Sequence, residues 1–229
     1  SPNFCVFSLF YFVYFFQYYK FNKEIFLIII INLILATPAV LYIFSLQEFF
    51  FLKTAVPSSN ITTGDFFNIS NKVLIISSII FFYFLPFLFI KIKFFNFQNV
   101  YILILSLILL LVLKNNFNYN YEFTGGGIFF KLSYYLYNNN ILFYVICFLS
   151  FVIIFELIKI DKRNLILFVL LIIANPQYTI YHKYYDPLLL ILFTTLFNIP
   201  MGKDMMFKNK SLLVFYLHMV SFLILNIIK

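Results

Sequence analysis

From Ile25 to Leu46 the chain runs without a single charged side chain, and stretches of the same kind recur along its length. Crossing a bilayer takes roughly 20 apolar residues in a helix. Only helices satisfy their own backbone in lipid without closing a barrel. The unbroken runs also lack the period-two alternation of barrel strands. The expectation is therefore all-α: a polytopic transmembrane helical bundle of about eight spans (range about six to nine). The spans fall near 4–19, 25–46, 73–90, 95–113, 141–158, 164–174, 187–200 and 211–228, with interfacial helices in the outer loops. Thr37-Pro38 marks a kink, because proline withdraws one backbone donor. The runs 164–174 and 187–200 are short, so they either cross the bilayer or enter and return.

Composition agrees. The chain is 64% hydrophobic and 10% charged, where a soluble domain carries roughly 25% charge. There is too little polar surface to coat a globule, and 1–229 reads as a single transmembrane domain. Its first residue is Ser1 rather than Met, and no signal-peptide pattern follows. A fragment lacking its N-terminal part is expected. Cys5 and Cys147 both lie in apolar runs and form no CxxC pair.

The net charge of +8 does not indicate nucleic acid. The basic residues sit in short clusters between apolar runs, as membrane-flanking charges do. Those clusters set the orientation. The odd loops carry Lys20 and Lys23; Lys91 and Lys93; Lys159, Lys162 and Arg163; Lys203, Lys208 and Lys210. The even loops are longer yet hold only Lys53, Lys72, Lys114, Lys131 and Lys183. Positive charge favours the cytoplasm, so the odd-numbered loops are expected there. Segments 47–72, 114–140 and 175–186 then face outward, from a bacterial inner membrane or an endoplasmic reticulum membrane.

The densest polar and aromatic cluster is the loop from Asn175 to Pro187, bounded by Pro176 and Pro187. Within it, His182 and Lys183 suit a lipid-linked phosphate. Tyr181, Tyr184 and Tyr185 suit stacking on a sugar or isoprenoid, and Asp186 completes the candidate substrate-binding set. The alternative is an interfacial belt of tyrosines at headgroup level.

Other candidates are weaker. Glu48 and Asp65 lie in the 47–72 loop, where a carboxylate serves as base or metal ligand or is simply solvated. Asn60-Ile61-Thr62 and Asn68-Ile69-Ser70 match the glycosylation sequon in an asparagine-rich chain. Thr124-Gly125-Gly126-Gly127 lacks the rest of a phosphate-binding loop and reads as a turn entering an interfacial helix. Glu156 reads as a carboxylate paired with Lys159, and His218 as a helix–helix hydrogen bonder or proton-relay group. No spacing makes a zinc site. No cofactor is expected, and no ligand cluster supports a divalent metal.

The stretch Tyr181-His182-Lys183-Tyr184-Tyr185-Asp186-Pro187-Leu188-Leu189, leading into an apolar run, resembles the C-terminal half of GT-C glycosyltransferases. These polytopic enzymes use polyprenyl- or dolichyl-phosphate sugars outside the cytoplasm. The resemblance implies sugar transfer from a polyprenyl-phosphate donor to an acceptor, with membrane lipid and the lipid-linked sugar as partners. It implies that His182 and Lys183 contact the lipid phosphate and that the tyrosines line the sugar or acceptor pocket. Family members carry their catalytic acid in an early outer loop that this chain lacks, so the base is expected upstream. A transporter or lipid flippase, a membrane-bound O-acyltransferase (from Ser211 to His218) and a structural subunit are the competing expectations. A transporter calls for paired breaks in its helices, and the sequence displays one, around Asn175-Pro176.

Overall fold

A computed structural model describes residues 7–19, 22–45, 68–90, 99–121, 125–175, 180–186, 188–199 and 208–227. The expectations placed on Cys5, Lys20, Glu48, Lys53, Asp65, the Asn60 sequon, Lys91, Lys93, Thr124, residues 176–179, Pro187 and Lys203 lie outside the described residues.

The described residues form helices and no strand: α1 Ser8–Tyr19, α2 Lys23–Ser45, α3 Ile69–Ile90, α4 Val100–Asn115, α5 Gly127–Tyr137, α6 Ile141–Ile160, α7 Arg163–Ile173, α8 Leu188–Thr195 and α9 Asn209–Ile227. Of these, α3 and α6 are long and apolar enough to cross a bilayer. The bundle is built round α3. It starts where Asn68 accepts the Asn71 N–H through Oδ1 at 3.2 Å, the bond an N-cap side chain supplies. The Asn68 amide also donates to the Asn116 carbonyl and to Asn118 Oδ1, so this sequon asparagine is already engaged in the fold.

Small side chains bring α6 against α3. Ser150 Oγ donates to the Ser77 carbonyl at 2.6 Å, and Cys147 Sγ to the Leu74 carbonyl at 3.3 Å. Small polar residues let helix backbones approach closely in an apolar setting. Both partner numbers rise together, so α3 and α6 run parallel. The return is made by α4. Asn99, at its start, donates to Glu156 Oε1 near the end of α6, while Asn116, past its end, meets Asn68. Glu156 therefore takes an amide from another helix, where the sequence reading paired it with Lys159.

Two shorter pieces fill the centre. At the first, α5 begins beside the middle of α3, with Gly127 facing Ser78 and Ile79. It runs back alongside α6, and Ser133 Oγ accepts the Phe143 N–H at their corner. The second is a hairpin of α7 and α8, which have 11 and 8 residues. At 1.5 Å per residue they are roughly 16 and 12 Å long. Its open end is closed by Asn164, which donates to the Leu157 and Asn198 carbonyls and accepts the Asn198 N–H. The two short runs of the sequence reading are thus the arms of one hairpin.

Candidate functional site

The tip of that hairpin carries the candidate loop. His182–Tyr184 form one turn of 3-10 helix, and the Tyr185 N–H donates to the His182 carbonyl at 3.0 Å. A 3-10 helix has three residues per turn, so positions three apart share a face. His182 and Tyr185 therefore fall on one face, Lys183 and Asp186 on the next.

The first face is turned inward. The His182 ring stacks on Tyr83 at 5.1 Å and 26° between planes, and meets the Phe82 and Phe222 rings at 4.9 and 5.2 Å. Tyr185 is buried, its hydroxyl accepting from Asn175 Nδ2 at 3.3 Å. Ile180 is wholly buried, and its carbonyl accepts the Gly126 N–H at 2.9 Å. The His182 ring thus holds the turn against α3, the Ile180 carbonyl against the start of α5, and Tyr185 against Asn175 beyond the end of α7.

The second face is turned outward. Lys183 and Asp186 are exposed, and the Lys183 ammonium lies over the Tyr181 ring, 5.1 Å from its centroid. Tyr184 contributes its backbone to the turn. Asp186 stands two residues before α8, where the helix dipole favours a carboxylate. The six residues singled out in the sequence thus divide: His182 and Tyr185 fix the loop, while Lys183 and Asp186 are presented.

The site also contains residues that the sequence did not mark. Tyr83 is fully buried in α3, its hydroxyl included. The Asp186 carboxylate lies within electrostatic reach of that hydroxyl. Both ring nitrogens of His182 and Nε2 of His218 are buried without partners. The His218 ring hydrogen-bonds to the Phe82 backbone. Four residues further along α3 stands Pro86, which has no N–H to offer the Phe82 carbonyl. Proline opens the acceptor, and α9 fills it. Pro86 was the available signal, since a proline inside an apolar helix leaves a carbonyl for a neighbour.

Gly125, Gly126 and Gly127 have φ of 99°, 84° and 77°, a region L side chains rarely adopt. The chain passing through them leads into α5 from the same level of α3 at which the hairpin tip packs. A second interrupted segment therefore meets the break at Asn175, where the sequence displayed one break alone. Among the described residues, no group of three or more His, Cys, Asp or Glu side chains is placed to hold a metal ion.

Compared with protein-family models, curated proteins and solved structures, the chain matches none.

Proposed function

We propose that the chain is a polytopic membrane glycosyltransferase in which α7 and α8 form a re-entrant hairpin. It moves a sugar from a polyprenyl-phosphate donor to an acceptor on the periplasmic or lumenal face. The odd-numbered loops then lie in the cytoplasm.

The supporting observation is the placement of Lys183. The turn that carries it packs on Phe82 and Tyr83, which lie about 20 Å along α3 from Ile69 at 1.5 Å per residue. If α3 spans the bilayer, that is inside the hydrocarbon, about 11 Å short of the Ile90 end. An ionised side chain facing hydrocarbon there costs roughly 3 kcal/mol or more. Lys183 and Asp186 both face outward at this level, so the space before them is polar, filled by water or a polar ligand. An ammonium on a rigid turn suits the phosphate of a lipid-linked donor. As the acceptor oxygen bonds the anomeric carbon, the bond to the phosphate breaks and its electron pair stays on the polyprenyl phosphate. Lys183 stabilises that growing charge.

The test is transfer from a polyprenyl-phosphate sugar by the protein in lipid nanodiscs. Lys183→Ala is expected to lose transfer by about 100-fold, and Lys183→Arg to retain more of it than Lys183→Ala. Unchanged turnover in Lys183→Ala removes the turn from the donor site.

A transporter is the second reading, supported by the meeting of two interrupted segments at Gly126 and Ile180. Its signature is substrate flux across proteoliposomes with no transfer product.

A further inference from the structure

We propose that the contact between Gly126 and Ile180 is a gate: closed as it stands here, it bars the Lys183 turn from the face at the start of α3, and it parts to admit the acceptor or solute. This rests on Lys183 facing substrate, which the glycosyltransferase and transporter readings share.

The two segments that meet there are rooted at opposite ends of the bundle. At the start of α6, Ser133 Oγ of α5 accepts the Phe143 N–H. At the end of α6, Asn164 Nδ2 at the root of the hairpin donates to the Leu157 carbonyl at 2.8 Å. With 20 residues α6 is roughly 30 Å long, and α5 and α7, with 11 each, are roughly 16 Å. Each segment therefore covers about half the depth, one from each face. The order along α3 agrees. Gly127 lies against Ser78 and Ile79, and the His182 turn packs one helical turn further on, against Phe82 and Tyr83. Lys183 thus stands on the Ile90 side of the contact. In the orientation proposed above, the Ile69 side is the outer one.

The contact is shut. Gly126 and Tyr119 are buried, and Ile180 wholly so. A Cβ on Gly125 would come within 2.7 Å of the Ile180 oxygen and 3.2 Å of the Tyr119 hydroxyl. Water on the outer side is therefore kept from Lys183 along this line. Sugar transfer on the outer face needs that line open, and so does passage of a solute. The fold permits it. Ser133 and Asn164 stand roughly 9 and 14 Å along their helices from the ends that meet, so parting the contact undoes neither root. Three consecutive glycines at the head of α5 give the chain there the backbone freedom of a hinge. Non-helical backbone at this depth is tolerated where protein buries it or where it lines a water-filled cavity. A gate alternates between those two states.

The experiment reads accessibility in the full protein, in sealed vesicles of each orientation, with a membrane-impermeant quaternary-ammonium methanethiosulfonate. Cys5→Ser and Cys147→Ser clear the background, the second keeping a donor for the Leu74 carbonyl. Tyr137→Cys and Lys162→Cys, at exposed positions, mark the two faces and are expected to react from opposite sides. Lys183→Cys is expected to react from the Lys162 side alone. Adding Gly125→Ala, which wedges the contact, is expected to raise its reaction from the Tyr137 side by about 10-fold. Tyr185→Phe removes the hydrogen bond from Asn175 and loosens the turn from the hairpin side, in case Gly125→Ala does not insert. Reaction of Lys183→Cys from the Tyr137 side with the contact intact overturns the gate. One-sided reaction in every loosened variant that inserts, or labelling of both markers from one side, does the same. No reaction of Lys183→Cys from either side would mean that Lys183 meets no water, and overturns the substrate-facing reading with it. Transfer and flux are measured separately, so their absence beside an established gate would overturn those readings and leave the gate standing.

Discussion

The Gly126 N–H donates to the Ile180 carbonyl at 2.9 Å, joining two segments that enter the bundle separately. Neither segment can close that contact alone. The α5 side needs backbone dihedrals open to glycine, and the hairpin side needs Ile180 to be buried with its carbonyl turned toward α5. The loop that presents Lys183 is therefore fixed from behind by main chain as well as by the His182 and Tyr185 side chains.

Gly125 is the most sensitive point of this contact. A Cβ there would lie 2.7 Å from the Ile180 oxygen, at a φ of 99°. Gly125→Ala is expected to destabilise the protein by about 1–3 kcal/mol. It is also expected to speed proteolysis within residues 175–187. Thermal unfolding in detergent and limited digestion check both. An unchanged melting temperature would mean that the two segments do not depend on each other.

Pro86 and His218 form a coupled pair. His218→Phe should cost about 1 kcal/mol, since it leaves the Phe82 carbonyl without a donor. In a Pro86→Ala background α3 can supply its own N–H, and the same change should cost markedly less. A double-mutant cycle on thermal unfolding measures the difference. Equal costs in both backgrounds would show that the carbonyl is not what His218 serves.

Acid should loosen the base of the α7–α8 hairpin. Hydrogen bonds from the Arg163 guanidinium hold the Asp161 carboxyl down to about 2, against roughly 4 in an unfolded chain. With the folded value depressed, the stabilisation is fully present above about pH 4 and is lost as pH falls toward about 2. Asp161→Asn should remove this acid dependence. The check is melting temperature against pH for both proteins. Parallel curves from pH 5 to 2 would rule the clasp out.

How much was legible in advance followed physical lines. Ile141–Ile160 and Asn209–Ile227 match their apolar runs within about two residues, the usual uncertainty of helix ends, because long apolar runs have few other ways to satisfy their backbone. The inward turn of His182 was not legible. Polar side chains in a loop read as outward, and only the rings of Phe82, Tyr83 and Phe222 around it reverse that. Tyr83 was hidden in the same way, one tyrosine among aromatics inside an apolar run. The placing of Gly125 beside Ile180 was invisible because residues 116–124 show no period to follow. By contrast, Lys183 and Asp186 were singled out by their charge alone.

The hydroxyls of α3 bear on how such a chain is made. Ser77 and Ser78 donate to the Leu74 and Ile75 carbonyls of their own helix at 2.8 and 2.7 Å, so α3 can leave the translocation channel before α6 exists. Thr194 and Thr195 are satisfied in the same way by the Leu190 and Ile191 carbonyls of α8, but α7 and α8 are each too short to reach across a bilayer of roughly 30 Å. On the membrane reading they enter together, after both have been synthesised, against a scaffold already standing. The turn that presents Lys183 would thus be among the last parts of the molecule to reach its place during biogenesis.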